Sequence, residues 1–248
     1  MRRCIRLLVT LGLGMSPWVA LLAQDNVFDK ESFEFTTRAF GNDYFEGIHF
    51  YDAEEKRVQL EFNPYERTGI YHLPEGVTEV PFIRLEVGER GREQEETVAV
   101  ADLDGIESRA FIVFVARRDV RRDLPYTVYV ADESPGKFEA GHLRFLNLAG
   151  PPLLARVGDE SISLSYGFGG DLSFDSKSIQ ELRFQFAVRV DQEWRIVYSS
   201  GFRPHPDLGT LAILKPPAQI NSMQIQIEFD YGGFFPEPIP KVETAPES

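Results

Sequence analysis

Two alternating stretches decide the fold of this chain: Phe184-Gln-Phe-Ala-Val-Arg-Val190 and Trp194-Arg-Ile-Val-Tyr198, joined by Asp191-Gln-Glu193. Alternation of apolar and polar residues puts the two kinds of side chain on opposite faces of a β-strand. A polar three-residue segment between two such strands is a common hairpin loop. The pattern therefore predicts a β-hairpin with one apolar and one polar face.

The hairpin also predicts the environment of its tryptophan. Trp194 alternates with Ile196 and Tyr198, while Arg183 and Arg189 lie on the polar face of the first strand. Large apolar residues placed in this way usually fill the interior of a sandwich, so we expect Trp194 to be buried in the core. The alternative is an exposed aromatic side chain that stacks on a sugar ring.

The same alternation dominates the chain from Phe33 to Phe229, where Pro and Gly separate roughly a dozen short strands. Long segments with the 3.6-residue period of a helix are missing from this region. We therefore predict an all-β chain with antiparallel β-sandwich architecture and little or no helix outside the N-terminal segment. Turn-forming residues cluster from Asp132 to Phe138. We therefore predict that the chain divides there into an N-terminal β unit, 27–135, and a C-terminal β unit, 136–230.

The two predicted units contain similar pieces. The stretches Ala110-Phe-Ile-Val-Phe-Val115 and Tyr126-Thr-Val-Tyr-Val130 resemble the hairpin above, and Phe82-Ile-Arg-Leu-Glu-Val-Gly88 resembles Leu153-Leu-Ala-Arg-Val-Gly158. A spacing of about 70 residues between matching pieces predicts two related immunoglobulin-like or sandwich units packed together. Strand-rich sequences also resemble one another by chance, so both interpretations stay open at this point.

The N-terminus has the anatomy of a secretory signal peptide. Three arginines precede an apolar stretch of 17 residues, Leu7 to Ala23, and polar chain follows from Gln24. A membrane helix needs roughly 17–25 such residues, and glycine and proline interrupt this stretch. We therefore predict a signal peptide at 1–23 and an exported mature chain in the periplasm, at the cell envelope or outside the cell, without a membrane span. The single cysteine, Cys4, leaves with the signal peptide.

Charge bears on the choice of partner. Loss of the three signal arginines takes the formal net charge from −13 down by three units to −16. Such an excess of acid repels phosphate backbones and anionic lipid, so nucleic acid is not an expected partner. The last residues, 231–248, are rich in proline and acids and predict a disordered tail.

Several stretches between 132 and 216 recur together in other proteins. They are Asp132-Glu-Ser-Pro-Gly-Lys-Phe-Glu-Ala-Gly-His-Leu-Arg-Phe-Leu-Asn-Leu148, Trp194-Arg-Ile-Val-Tyr-Ser-Ser200, Arg203 to Asp207, and Thr210-Leu-Ala-Ile-Leu214. In this region the chain resembles a group of signal-bearing bacterial β-sandwich proteins to which no activity is assigned. The resemblance implies an exported β-sandwich and no particular reaction.

Signatures of catalysis and metal binding are weak. The four histidines are far apart in the sequence and the mature chain would lack cysteine, so no metal site and no cofactor is predicted. The Gly-x-Ser-x-Gly turn of many hydrolases is missing, and pairs of carboxylates for sugar cleavage have no diagnostic spacing. No catalytic residue is therefore predicted.

One basic cluster stands out in the sequence: Arg117, Arg118, Arg121 and Arg122. Two nearby aspartates partly neutralise its positive charge, so the simpler interpretation is a solvated hairpin tip. The functional interpretation is a binding patch for an anionic polymer. The preferred function is a non-catalytic exported β-sandwich protein with a binding or assembly role and a protein or glycan partner. The alternative is a secreted carbohydrate-active hydrolase whose carboxylates converge only in the fold.

Overall fold

A computed structural model describes residues 32–41, 45–63, 66–88, 91–116, 124–175, 181–219 and 221–232 of the chain. These residues form sixteen β-strands in four sheets and no helix, which confirms the predicted all-β sandwich class. Nothing in these ranges is a helix of the length and apolar character that crossing a membrane requires. The predicted signal peptide, 1–23, and residues 233–248 of the predicted tail lie outside the described residues.

The first eight strands form the N-terminal sandwich. They are β1 (Phe33–Phe40), β2 (Ile48–Tyr51), β3 (Arg57–Gln59), β4 (Tyr71–Leu73), β5 (Glu79–Val87), β6 (Glu93–Asp102), β7 (Arg109–Ala116) and β8 (Tyr126–Asp132). The N inner sheet has the strand order β4-β1-β7-β8, and the N outer sheet has the order β3-β2-β5-β6. Neighbouring strands are antiparallel except β1 and β7, which are parallel.

The next eight strands form the C-terminal sandwich. They are β9 (His142–Asn147), β10 (Leu153–Val157), β11 (Glu160–Leu164), β12 (Gly167–Ser173), β13 (Leu182–Val190), β14 (Glu193–Phe202), β15 (Gly209–Lys215) and β16 (Gln226–Gly232). The C inner sheet is ordered β12-β9-β15-β16, and the C outer sheet is ordered β11-β10-β13-β14. The parallel pair is β9 and β15. Each strand of the first sandwich therefore has a counterpart eight strands later with equivalent neighbours, so the topology is repeated.

The predicted spacing of about 70 residues between the two units is wrong, because the structural repeat is longer. Strand β7 begins at Arg109 and its counterpart β15 at Gly209, while β8 begins at Tyr126 and β16 at Gln226. The sequence comparison matched β7–β8 with β13–β14, whose counterpart in the structure is β5–β6. Every hairpin alternates with a period of two residues, so alternation alone does not identify corresponding hairpins.

Both outer sheets contain a β-bulge at matching points. The register of β5–β6 shifts after Phe82, with Val98 as the extra residue of the return strand. The register of β13–β14 shifts after Phe186, with Val197 as the extra residue. An extra residue in one strand moves every side chain beyond it to the other face of that strand.

The bulge at Val197 overturns the predicted burial of Trp194. Phe186 pairs with Tyr198 on the core side of the sheet, but beyond the bulge Trp194 pairs with Arg189 on the outward side. The tryptophan side chain is 53% exposed. The prediction was wrong because it extended one alternating pattern across the extra residue.

Each sandwich has a core between its inner and outer sheets. In the N-terminal core Phe35, Phe82 and Phe114 are fully buried, and the ring centroids of Phe82 and Phe114 are 4.7 Å apart. In the C-terminal core Phe145 and Phe186 are fully buried, with centroids 5.9 Å apart. Aromatic rings of this size bury large apolar areas, so these residues dominate the packing of both interiors.

A third core joins the two sandwiches. Phe111 and Val113 of β7 belong to the same buried cluster as Leu211 and Ile213 of β15. Because both of their faces are covered, β7 and β15 are continuous apolar runs rather than alternating strands. The sheets therefore stack in the order N outer, N inner, C inner, C outer.

Buried ion pairs cross this junction. Arg67 donates hydrogen bonds of 2.7 and 2.9 Å to Glu133 and one of 2.8 Å to Asp230 of β16. Arg38 of β1 pairs with Asp230 at 3.3 Å and with Glu228. Burial by itself lowers the pKa of Arg67, but the charges and hydrogen bonds of Glu133 and Asp230 raise it overall, so the guanidinium stays ionised. The ion pairs link both sandwiches and keep the two outer sheets on opposite sides of the stack.

Candidate functional site

The outward surface of the C outer sheet is a basic face. We define the basic face by Arg156 of β10, Arg183 and Arg189 of β13, and Trp194 and Ile196 of β14. All three arginines are exposed, and none forms an ion pair within the described residues. Ile196 is 64% exposed. The face thus combines unpaired cations with uncovered apolar side chains.

Strand pairing places these side chains next to one another. Phe184 and Phe186 point into the core, so the alternating residues Arg183 and Arg189 point outward. Arg189 lies directly opposite Trp194 across the β13–β14 pair. Side chains opposite each other in this way have Cβ atoms about 4.5–5.5 Å apart, so the guanidinium and the indole are neighbours.

Acids are absent from the outward positions of the four strands of this sheet, all of which the structure describes. Glu160 and Glu193, at the ends of β11 and β14, pair with Val157 and Val190 on the core side. Glu181 precedes β13 and lies against Gly201, at one end of the face. This face is therefore positively charged, although the whole chain has a formal net charge of −13.

An open groove of about 280 Å³ continues the face beyond Ile196. Its lining residues are Ile196, Val197, Tyr198, Ser199, Met223 and Gln224. Met223 is 42% exposed, and no acid or base lines the groove. The groove therefore offers a ligand both apolar and uncharged polar side chains.

The outward surface of the N outer sheet is an acidic face. We define the acidic face by Glu79, Glu93, Glu95 and Asp102, together with Tyr51 and Val87. Pairing of His49 with Ile83 and of Leu85 with Glu95 puts these positions on the side away from the core. Tyr51 is 42% exposed and Val87 is 77% exposed.

Local contacts only partly neutralise the acidic face. Arg57 has guanidinium nitrogens 4.0 Å from carboxylate oxygens of both Glu93 and Glu95. The Tyr51 hydroxyl donates a 2.5 Å hydrogen bond to Glu95, and this bond raises the pKa of Tyr51. One arginine therefore faces several carboxylates on this surface.

A carboxylate pair bears on the hydrolase alternative. Hydrogen bonding with Glu86, followed by its charge, raises the pKa of Glu96. Such coupling is the kind that tunes an acid for proton transfer. Both residues are exposed on the β5–β6 hairpin, however, and the groove at Ile196 lies at the other outer sheet. The pair adds to the negative charge of this end of the molecule.

The histidines make local contacts. His72 lies 3.1 Å from the Ser32 hydroxyl, and His142 lies 3.2 Å from the carbonyl oxygen of Lys137. Across the described ranges, no group of three or more histidine, cysteine, aspartate or glutamate residues is arranged to hold a metal ion. These hydrogen-bonding contacts explain the positions of the His72 and His142 side chains.

The predicted basic cluster lies elsewhere in the chain. Arg117, Arg118, Arg121 and Arg122 fall between β7 and β8, outside the described residues. The alternation of β13 predicts its polar side but not the basic face, because Arg156 is distant in sequence and the same alternation predicts a core position for Trp194. A break in alternation around Val197 is the signal that could have found it.

Comparison with known protein families and with curated proteins finds no match to this chain. Functional inference therefore rests on the chemistry of the two outer faces.

Proposed function

We propose that this protein is an exported, non-catalytic β-sandwich protein with a binding or assembly role at the cell envelope or outside the cell, and that the basic face is its binding surface. The signal-like segment up to Ala23 supports export. The observation that carries the binding role is the exposure of Trp194 beside Arg189, a cation that forms no ion pair with any residue that the structure describes.

The residue types of the basic face suit an acidic ligand with an apolar part. Arginine guanidinium groups donate paired hydrogen bonds to carboxylates, and they are weakly hydrated, so contact with a ligand costs them little. Indole is the best aromatic surface for stacking and for cation–π contact. Exposed Trp194 and Ile196 gain from burial against a partner, since burial of apolar surface is worth roughly 25 cal/mol per Å².

The hydrolase alternative receives less support. Glycoside cleavage needs two carboxyl groups that flank a bound sugar. Glu86 and Glu96 are close, but they lie exposed on a hairpin, and the groove at Ile196 is lined by no carboxylate. The residues on the basic face therefore support binding better than hydrolysis.

The test uses Trp194 as its reporter. The chain has two tryptophans, so a Trp18→Phe background leaves Trp194 as the only one. Purified protein is titrated with polyglutamate and with polygalacturonate, with uncharged dextran as the control. We expect a saturable change in emission with at least one acidic probe.

Paired variants assign the response to a face. Arg183→Ala together with Arg189→Ala should abolish the response, whereas Arg57→Ala, the same type of change on the acidic face, should leave it intact. A chain that gives no saturable response to either probe, or that responds equally after the Arg183 and Arg189 substitutions, would contradict the proposal.

A further inference from the structure

We infer that the acidic ligand of the basic face is the acidic face of a second copy of this chain, so that the protein assembles head to tail. This inference rests on the proposed function, because it names the partner of the same surface. Its starting point is that one chain carries two outward sheets of opposite charge.

The charges of the two faces are complementary. Arg156, Arg183 and Arg189 form no ion pair within the described residues, and Glu181 is the acid at the Arg183 end of their face. On the acidic face, Arg57 lies near Glu93 and Glu95 only, and Glu79 and Asp102 are at the other end of the β5–β6 hairpin. Face-to-face contact of two copies would therefore set the three arginines against a surface with excess carboxylates. Complementary charge of this kind sets the register and speeds the encounter of two proteins.

Apolar side chains are present on both faces. The described residues include six large hydrophobic side chains that are exposed: Tyr51, Val87, Tyr166, Trp194, Ile196 and Met223. Two of them, Tyr51 and Val87, belong to the acidic face, and two, Trp194 and Ile196, belong to the basic face. A glycan of uronic acids would satisfy the arginines, but a protein face also supplies aliphatic contact for Ile196. This favours a second copy over a polysaccharide.

The fold makes the two faces fit in shape. Both outer sheets have four strands in equivalent order and a bulge at the equivalent position, so their twist is alike. They lie at opposite ends of the four-sheet stack. The contact is therefore between different surfaces of the two copies, and a contact of that type propagates into an open chain unless the rotation closes a ring.

The size of the faces sets the strength of the association. Four strands about 4.8 Å apart, the longest of ten residues at about 3.3 Å each, give a face of at most roughly 20 by 33 Å. A contact of this size is small among specific protein interfaces. We therefore expect association in the micromolar range or weaker, and we expect salt to weaken it because the ion pairs are exposed.

Sedimentation of the purified protein from about 1 μM to about 1 mM tests the inference. We expect larger species to grow with concentration at about 0.1 M salt and to dissociate at about 1 M salt. Reversal of the basic face with Arg183→Glu and Arg189→Glu should leave monomers, and so should reversal of the acidic face with Glu93→Lys and Glu95→Lys. The control, Arg195→Glu, changes a charge of the neighbouring strand β14 on the other side of the same sheet, opposite Val188, and should associate like the parent.

The decisive variant carries all four reversals in one chain. Since the two faces are then complementary again with exchanged signs, association should return to within about tenfold of the parent. Melting curves of every variant check that it folds. A parent chain that stays monomeric throughout, or a fourfold variant that stays monomeric while the parent associates, would overturn the inference.

The polyglutamate and polygalacturonate titrations distinguish failure of the self-assembly inference from failure of the proposed binding function. A monomeric chain whose Trp194 emission still responds to polygalacturonate contradicts self-assembly and keeps the binding role, with a glycan as partner. A monomeric chain that responds to neither probe contradicts both.

Discussion

The N outer sheet and the C outer sheet share strand order, strand direction and bulge position, yet their outward surfaces differ in charge. One presents Glu93 and Glu95 with a single arginine, and the other presents Arg189 opposite an exposed tryptophan, with Arg183 further along the same strand. Their inward residues are alike, with a buried phenylalanine immediately before each bulge. The comparison teaches that the core specifies the scaffold and leaves every second residue of an outer strand free to carry function.

The strongest prediction tests whether the two interiors are equivalent. Phe82→Ala and Phe186→Ala remove fully buried rings at corresponding positions, so each should lower the free energy of unfolding by about 3–5 kcal/mol. Urea denaturation measures both values. The control, Val87→Ala, removes an exposed side chain and should change stability by less than about 0.5 kcal/mol. A cost below about 1 kcal/mol at either phenylalanine would show that the interiors are not equivalent.

The next prediction compares a buried carboxylate at the junction with an exposed one on the acidic face. Glu133→Gln removes the charge that holds Arg67 in the junction and should cost about 2 kcal/mol, because a hydrogen-bonded buried charge loses its partner. The same change at Glu95, whose contact with Arg57 is long and exposed, should cost less than about 0.5 kcal/mol. Equal effects in denaturation experiments would contradict the structural role of the junction ion pairs.

The smallest expected effect concerns the tryptophan. Trp194→Ala should change the free energy of unfolding by less than about 0.5 kcal/mol, because the side chain is 53% exposed. The sequence alone predicts a core position and a cost of roughly 3–5 kcal/mol. Thermal and urea denaturation distinguish the two, with Phe186→Ala on the neighbouring strand as the reference for a true core residue.

Fold class was predictable because it depends on a property that each strand shows by itself. Alternation from Phe33 to Phe229 and the turn formers around Pro135 are local, and they were sufficient to predict an all-β sandwich. The number of strands was underestimated, since short strands such as β3 and β4 have only three residues and no visible period. The correspondence between units was missed because it depends on pairing, which alternation does not encode.

The candidate site was harder to predict than the fold. It depends on one extra residue, Val197, which turns Trp194 outward and brings it beside Arg189. It also depends on Arg156, which joins the face only through the pairing of β10 with β13. Neither relation is present in the local sequence. The cluster of four arginines between β7 and β8 drew attention because its members are adjacent in the chain.

Quenching of Trp194 fluorescence tests the central claim most directly. In a Trp18→Phe chain, iodide and caesium report both the exposure of the indole and the sign of the charge around it. The account predicts that iodide quenches Trp194 efficiently and more strongly than caesium, despite the net negative charge of the protein, because Arg189 lies directly opposite the indole across the β13–β14 pair. Replacement of Arg189 by alanine should remove the preference for iodide. Weak quenching by both ions, or stronger quenching by caesium, would contradict the outward basic face on which the proposed function depends.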